Sequence, residues 1–343
     1  MIRAVPVVRR VASLHPHEVY RAQVFHAGHL WLGHSAGSVA DYRLDLLAPS
    51  GGTVASTPVP HTLEFLHAFG PGSIVAIGKH HTGKGGWRTY HTVATLRAGR
   101  LRTRTRRMPA RYQVEQFGGS PRAMFFNETG LGRILHWNGF WARALPATVH
   151  FPGRILHCGR HLFVLERNHF LPGEETIARI DLDGGAIERT FPRTRRRLTT
   201  LLDLHGLPWI AAPESWADRV LLVDKSTNRL AAEIPVEGSP VEIGRLGDCL
   251  VVAAQETLRL RFFHLLRPGF PCVAEWDLAG QGPGLANIRA LDVDPATGGV
   301  FLRSPYHVSV DGDTPAVSVV DDADGATYRA CTGRDRGAPS RAA

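Results

Sequence analysis

A short apolar strand recurs seven times along this chain of 343 residues. The starts of successive copies lie 44, 50, 38, 46, 42 and 50 residues apart. A repeat of about 45 residues that contains only strands is typical of a β-propeller, in which each repeat forms one blade of a closed ring. The seven copies are His29–Ser35, Ser73–Lys79, Ala123–Thr129, His161–Arg167, Leu207–Pro213, Cys249–Gln255 and Gly299–Pro305.

Each repeat divides into four short strands, and several of the turns between them contain glycine. These hairpin signals predict an all-β, single-domain, seven-bladed propeller with four-stranded antiparallel blades. We expect the N-terminal strand Ile2–Arg9 to close the ring by pairing within the last blade, where the predicted outer strand Ala326–Thr332 competes for the same place. The polar tail 333–343 is expected to be disordered. The predicted blades cover residues 19–60, 63–109, 112–149, 153–192, 198–236, 241–279 and 288–332, with residues 2–12 completing the last blade.

The composition favours a cytoplasmic protein without membrane contact. The sequence has no apolar run of about 18 residues, which a membrane span would need, and its N-terminus lacks the apolar segment of a signal peptide. The four cysteines contain no Cys-x-x-Cys pair. Buried free thiols are therefore expected at these positions, and neither a disulfide framework nor a zinc site is predicted, for Cys158, Cys249, Cys272 and Cys331.

The formal net charge of +9 does not by itself indicate a nucleic-acid partner. The basic residues are 37 arginines and 3 lysines, an imbalance that we interpret as the compositional bias of a GC-rich genome. No sequence-specific nucleic-acid partner is predicted, because no reading motif accompanies the charge. Four arginines alternate along one predicted outer strand, and we favour a solvated, protected edge over an anion-binding or nucleic-acid patch for Arg100, Arg102, Arg104 and Arg106.

The fifth repeat resembles the YVTN-type repeats of YncE-like seven-bladed propellers. Asp224 follows its third strand, a polar turn comes next, and the outer strand ends in the segment Ile234–Pro240. The turn Asp292–Gly298 is similar to the inner hairpin of the same family. This resemblance implies the fold and transfers no activity, because members of one fold family perform different functions.

Polar residues follow the second strand of most repeats and occupy the corners between repeats. In a propeller these two kinds of segment emerge on one face around the mouth of the central channel, and we call that face the rim. Imidazole and carboxylate groups at a shared funnel suit acid–base chemistry or charged ligands. The candidate catalytic residues are His34, His80, Glu128, Glu166, His169 and Glu214. The candidate ligand-binding residues are His17, His61, His81, Tyr112, His150, Arg197, Trp216, Glu256, Arg303 and His307.

Two functions fit this pattern. The favoured one is a monomeric binding protein whose rim holds a peptide, a protein segment or a small charged molecule. The alternative is a propeller lyase, hydrolase or cyclase that uses rim histidine and glutamate as acid and base. No cofactor is predicted, although a divalent metal is compatible with a rim rich in histidine and glutamate. A His–Glu contact at the rim favours the enzyme, and exposed aromatic and arginine side chains favour the binding protein.

Overall fold

The structure is a computed structural model of the chain, and its β-strands form the seven blades of a propeller. It describes residues 1–4, 6–13, 22–35, 41–81, 87–108, 114–120, 123–128, 132–137, 142–150, 152–166, 175–191, 196–281, 288–303 and 316–335. The prediction of an all-β propeller with four-stranded antiparallel blades is confirmed. No helix in these ranges is long and apolar enough to cross a membrane.

Two strands precede the first blade, and within each of the first four blades the strands pair antiparallel in chain order. A parallel pairing of Gly119 with Leu156 joins blades 3 and 4 into one eight-stranded sheet. The leading strands are β1 (Ile2–Ala4) and β2 (Val7–Ser13). Blade 1 contains β3 (Gln23–His26), β4 (His29–Ser35), β5 (Tyr42–Leu47) and β6 (Thr53–Val59). Blade 2 contains β7 (Phe65–Ala68), β8 (Ser73–His81), β9 (Trp87–Arg97) and β10 (Arg100–Arg107). Blade 3 contains β11 (Val114–Ser120), β12 (Ala123–Glu128), β13 (Arg133–Trp137) and β14 (Ala142–Thr148).

The remaining blades repeat this arrangement. Blade 4 contains β15 (Pro152–Cys158), β16 (His161–Glu166), β17 (Thr176–Asp181) and β18 (Ile187–Arg189). Blade 5 contains β19 (Leu202–Asp203), β20 (Trp209–Glu214), β21 (Arg219–Asp224) and β22 (Leu230–Pro235), with a 3₁₀ turn at Ser215–Ala217. Blade 6 contains β23 (Pro240–Leu246), β24 (Cys249–Ala254), β25 (Arg259–His264) and β26 (Cys272–Asp277). Blade 7 contains β27 (Ala290–Val293), β28 (Val300–Arg303) and β29 (Ala316–Asp321), and its fourth strand is β2.

The N-terminal segment closes the ring, as expected, but it does so with two strands. β2 pairs antiparallel with β29 as the outermost strand of blade 7. β1 turns to the neighbouring blade and pairs parallel with β26. The single closing strand predicted at Ile2–Arg9 is therefore divided between blades 6 and 7.

The prediction of an outer strand at Ala326–Thr332 is wrong, because this segment is the helix α1 (Ala326–Thr332). β2 already occupies the outer position of blade 7. The helix instead buries Tyr328 and Cys331, which share one helical face, against the core of blade 6. Its backbone also joins the first hairpin of that blade, where the amide of Asp248 donates to the carbonyl of Cys331 at 2.8 Å.

Each of the seven junctions between neighbouring blades holds one cluster of buried apolar side chains. The innermost and second strands supply most of these side chains, because both faces of a blade pack against other blades. Phe25 and Phe301, for example, stack at 5.4 Å across the junction between blades 1 and 7. The strands therefore show apolar runs with little alternation, as the repeated strand in the sequence does.

In several blades, backbone hydrogen bonds join the end of the second strand to the preceding interblade corner. In blade 2 the amide of Thr62 donates to the carbonyl of Lys79 at 2.9 Å. The approach is so close that a Cβ atom at Gly78 would lie 1.5 Å from the carbonyl oxygen of Thr62. In blade 5 Leu198 forms a β-bridge with Glu214. These contacts place the corner and the end of the second strand side by side at the rim.

Candidate functional site

The second strand of blade 5 ends in a buried carboxylate that two arginines hold. Glu214 is 3% exposed. Its Oε2 accepts hydrogen bonds from Arg196 Nη1 at 2.8 Å and from Arg219 Nε at 2.7 Å. The hydrogen bond with Glu214 raises the pKa of Arg219. Because both arginines neutralise this carboxylate, Glu214 is better placed to fix the corner between blades 4 and 5 than to act as a base.

Glu166 plays the corresponding part at the end of the second strand of blade 4. Its carboxylate accepts two hydrogen bonds from Arg189, at 2.6 and 3.0 Å, in a bidentate pair. It also accepts the backbone amide of the corner residue His150 at 2.7 Å. The hydrogen bond with Glu166 raises the pKa of Arg189. This second rim glutamate is thus also engaged in holding two blades together.

His34, at the end of the second strand of blade 1, contacts an aspartate. Its Nε2 lies 2.7 Å from Oδ2 of Asp45, and both side chains are largely buried. Asp45 also accepts the hydroxyl of Ser56 at 2.5 Å. Burial acts to raise the pKa of Asp45, but the hydrogen bonds from His34 and Ser56 outweigh it, and the pKa lies below its usual value. An ionised Asp45 can orient the imidazole and stabilise its protonated form.

The predicted rim histidines of blade 2 lie in different surroundings. His61 is fully buried, with Nδ1 2.6 Å from the carbonyl of Thr62 and Nε2 2.7 Å from the hydroxyl of Thr92. Because the carbonyl can only accept, Nδ1 carries the proton and Nε2 accepts from Thr92. Burial lowers the pKa of His61 to about 4, so this ring is neutral near pH 7. His80 is exposed and meets the ring of Tyr90 edge-on at 6.2 Å.

Trp216 and Arg197 form an exposed pair on the rim of blade 5. Trp216 follows Glu214 in the 3₁₀ turn, and 57% of it is exposed. The guanidinium carbon of Arg197 lies 5.6 Å from the centre of its ring, within the range of a cation–π contact. The amide of Ser215 donates to the carbonyl of Arg197 at 3.0 Å. This bond holds together the two backbones that carry the pair.

The neighbouring arginine faces the interior. The guanidinium of Arg196 lies over the ring of Phe191 at 4.2 Å and reaches Glu214. Arg197 is the next residue and is exposed. Successive side chains alternate in direction along an extended backbone. Arg196 therefore points into the protein, and Arg197 points to solvent. We call Trp216 and Arg197 the rim pair.

Arg303, at the end of the second strand of blade 7, is buried. It is 2% exposed, and its Nη1 lies 3.5 Å from the carbonyl of Gly33 in blade 1. Nearby on the innermost strands, Asp292 accepts Nε2 of Gln23 at 2.8 Å and the amide of Phe25 at 3.3 Å. Burial raises the pKa of Asp292. These contacts fasten blade 7 to blade 1, where the ring closes.

The other predicted rim residues fall into three groups. His150 and Glu256 are exposed, and the amide of Glu256 donates to the carbonyl of Gly238 at 2.9 Å. His81 and Glu128 end β8 and β12, and the structure describes only their backbones. Four lie outside the described residues, namely His17, Tyr112, His169 and His307.

The described ranges contain no group of three histidine, cysteine, aspartate or glutamate residues placed to hold a metal ion. A divalent metal at the rim therefore stays a hypothesis that rests on residue types alone. The partners of Glu166 and Glu214 are three arginines that are not among the candidate site residues predicted from the sequence, namely Arg189, Arg196 and Arg219. The pairing of Arg219 with Glu214 could have been predicted from the sequence. Arg219 begins the strand that follows Glu214, and the two residues lie opposite each other in a hairpin.

Comparison with solved structures gives the same fold. The chain is similar to virginiamycin B lyase from Staphylococcus aureus, whose selenomethionine-substituted form was crystallised, with a TM-score of 0.61 and 13% sequence identity. The alignment covers 92% of this chain and 99% of that chain. No protein-family model and no curated protein sequence matches the chain. The likeness establishes a propeller architecture, and the resemblance to YVTN-type repeats stays a prediction.

Proposed function

We propose that this protein is a binding protein that recognises an acidic peptide segment through the rim pair. The observation that carries the proposal is the exposed Trp216 with Arg197 beside it, held by a buried ion network. Tryptophan and arginine are the residue types most enriched among the residues that dominate binding energy. An exposed aromatic ring that is already fixed in place loses little conformational entropy on binding.

The chemistry of the pair defines the ligand. The guanidinium of Arg197 can donate two parallel hydrogen bonds to a carboxylate. The exposed face of Trp216 can cover an apolar or aromatic side chain. A peptide segment in which aspartate or glutamate adjoins phenylalanine, tyrosine or leucine satisfies both groups. The neighbouring Arg196 adds positive electrostatic potential, although its ion pair with Glu214 offsets part of it.

The alternative of an acid–base enzyme has less support. Virginiamycin B lyase, the similar solved structure, is by its name a lyase, and His34 with Asp45 is a histidine–carboxylate contact at the rim. Two of the three glutamates considered as catalytic residues, Glu166 and Glu214, are however engaged by arginines, and the structure describes only the backbone of the third, Glu128. The first two carboxylates are therefore less available as bases than the sequence suggests, whereas Arg197 and Trp216 are exposed at the same rim.

A peptide array tests the proposal. The full chain is applied to acetylated peptides that combine acidic with aromatic residues, and the best binders are measured by fluorescence anisotropy. Trp216→Ala is expected to weaken binding about 30-fold, equivalent to about 2 kcal/mol, because the ring at the centre of the binding surface is removed. Arg197→Gln is expected to weaken binding about tenfold and to reduce its salt dependence.

Leu266→Ala is the matched control. Leu266 is also 57% exposed, but it lies in the β25–β26 turn on the face opposite the rim. Its replacement should leave the affinity unchanged. The proposal fails if no acidic peptide binds, or if the Trp216 and Leu266 variants bind as the unaltered protein does.

A further inference from the structure

The positive charge of this protein is concentrated in one blade. Residues 61–108, which form blade 2 and its leading corner, contain nine basic residues and one acidic residue, Glu64. This segment therefore carries a formal charge of +8, while the whole chain carries +9. A compositional bias toward arginine would spread basic residues over all blades and would not remove acidic residues from a single one. The excess of basic over acidic residues in blade 2 therefore needs an explanation specific to that blade.

Most of this charge lies on the two outer strands of the blade. β10 forms one edge of the sheet, and its residues Arg100, Arg102 and Arg104 are exposed. They alternate along the strand, so they share one face at intervals of about 7 Å. Arg97, on the adjacent β9, lies directly opposite Arg100. We call Arg97, Arg100, Arg102 and Arg104 the arginine stripe.

The stripe has no acidic partners within the part of the chain that the structure describes. None of its four guanidinium groups takes part in an ion pair or a side-chain hydrogen bond there. Some exposed arginines elsewhere do have such partners, as Arg160 has in Asp181 at 2.6 Å. Rows of like charge repel one another and gain stability when a polyanion binds.

We propose that the arginine stripe binds the phosphate backbone of duplex nucleic acid without sequence preference. Each strand of a duplex presents one phosphate per about 3.4 Å of helix axis. Arginines about 7 Å apart can therefore each meet a phosphate. Guanidinium groups pair with phosphates through two parallel hydrogen bonds. This binding needs only cationic groups in a row, because its affinity comes from the release of counterions.

An acidic protein partner fits the stripe less well. Stable protein interfaces place aromatic or aliphatic anchors in a buried centre. On β10 the positions between the arginines are Leu101, Thr103 and Thr105, and Leu101 packs against the core between blades 1 and 2. Trp216, the exposed aromatic anchor described above, belongs to blade 5. The stripe is therefore a second surface, independent of the rim pair.

The experiment measures binding of the full chain to a fluorescein-labelled DNA duplex of arbitrary sequence, by anisotropy over a range of salt concentrations. The test variant is Arg100→Gln/Arg102→Gln/Arg104→Gln. The matched control is Arg3→Gln/Arg229→Gln/Arg267→Gln, which removes the same charge from exposed positions outside blade 2. Circular dichroism checks that both variants are folded.

We expect the test variant to bind the duplex at least tenfold more weakly at moderate salt. The slope of log affinity against log salt concentration should fall by about 3, because each of the three substituted arginines no longer neutralises a phosphate. The control should retain the slope of the unaltered protein. A second duplex of unrelated sequence should bind equally well.

Three results would overturn the proposal. The first is that the unaltered protein does not bind the duplex at low salt. The second is that both triple variants lose the same affinity and slope, which would make the attraction a property of net charge alone. The third is that poly-L-glutamate of matched charge competes as strongly as unlabelled duplex, which would identify an acidic polypeptide as the partner.

Discussion

In blade 5 the second strand ends in a largely buried ion-pair network, in which Glu214 contacts Arg196 and Arg219. In blade 2 the charged groups of β10 lie outside, and the arginine stripe has no carboxylate partner among the described residues. The buried groups of the two blades differ in the same way. Blade 5 buries an ionised network, whereas blade 2 buries the neutral ring of His61 between threonine partners.

This difference separates charge that serves the fold from charge that is available to a partner. A buried ion pair is retained because removing either partner leaves an uncompensated charge. An exposed row of like charges does not stabilise the fold by itself, because like charges repel. The rim pair and the arginine stripe therefore offer binding surfaces, while Glu166 and Glu214 hold blades together. Three substitutions test this division, beginning with the largest expected effect.

Glu214→Gln is expected to lower the free energy of unfolding by about 3 kcal/mol, because two partly buried arginines lose the carboxylate that they share. Urea denaturation measures this loss. The control is Glu188→Gln, which removes an ion pair with Arg179 whose carboxylate is 59% exposed. It should cost less than about 1 kcal/mol. Equal losses in the two variants would contradict the structural role of Glu214.

Two buried histidines of blade 2, His61 and His91, have lowered pKa values, and each makes stability depend on pH. Burial lowers the pKa of His61 from its ordinary value of 6.5 to about 4. Between these two values the unfolded chain binds a proton that the folded chain excludes, so stability falls as the pH falls from 6.5 toward 4. For one such histidine the loss between about pH 7 and about pH 5 is about 2 kcal/mol.

His61→Gln should remove that part of the pH dependence, as followed by urea denaturation at several pH values. His150→Gln, at an exposed corner position, should keep the pH dependence of the unaltered protein. If the His61 variant retains the full pH dependence, the neutral buried ring is not its source.

Arg100→Gln/Arg102→Gln/Arg104→Gln is expected to have the smallest effect on stability, less than about 1 kcal/mol. The triple substitution should raise the stability slightly at low salt, because it removes repulsion between like charges on one face. This gain should disappear at high salt, where the charges are screened. Thermal unfolding at two salt concentrations measures it. A large loss of stability would mean that these arginines serve the fold, contrary to the comparison with blade 5.

The architecture could be predicted because it depends on a repeated pattern. Apolar runs such as Cys249–Ala254 pack on both faces and recur at a blade-length interval, and few folds accept that combination. The helix at Ala326–Thr332 could not be predicted in the same way. Its segment can adopt either structure, and the choice follows from β2 already occupying the outer position of blade 7.

The sequence predicted which residues follow the second strands and which occupy the interblade corners. It did not predict the hydrogen-bond and ion-pair partners of these residues. The sequence places Trp216 just after a second strand and Arg197 at an interblade corner, and the structure brings the two side chains within 5.6 Å of each other. The sequence cannot distinguish Arg196 from Arg197, although one faces the interior and the other faces solvent. That distinction depends on the backbone alternation at a corner that has no regular repeat.

The sequence by itself determined the ring of seven blades and the concentration of charge in residues 61–108, because both are properties of order along the chain. The tertiary structure decided which charges neutralise one another. Glu166 meets Arg189 23 residues later, and Gln23 meets Asp292 across the ring closure at a separation of 269 residues. Contacts of that kind depend on how blades pack, which no local pattern encodes. The structure thereby separates two kinds of polar rim residue. Some are buried and form ion pairs that hold neighbouring blades together, and others are exposed and available to a partner.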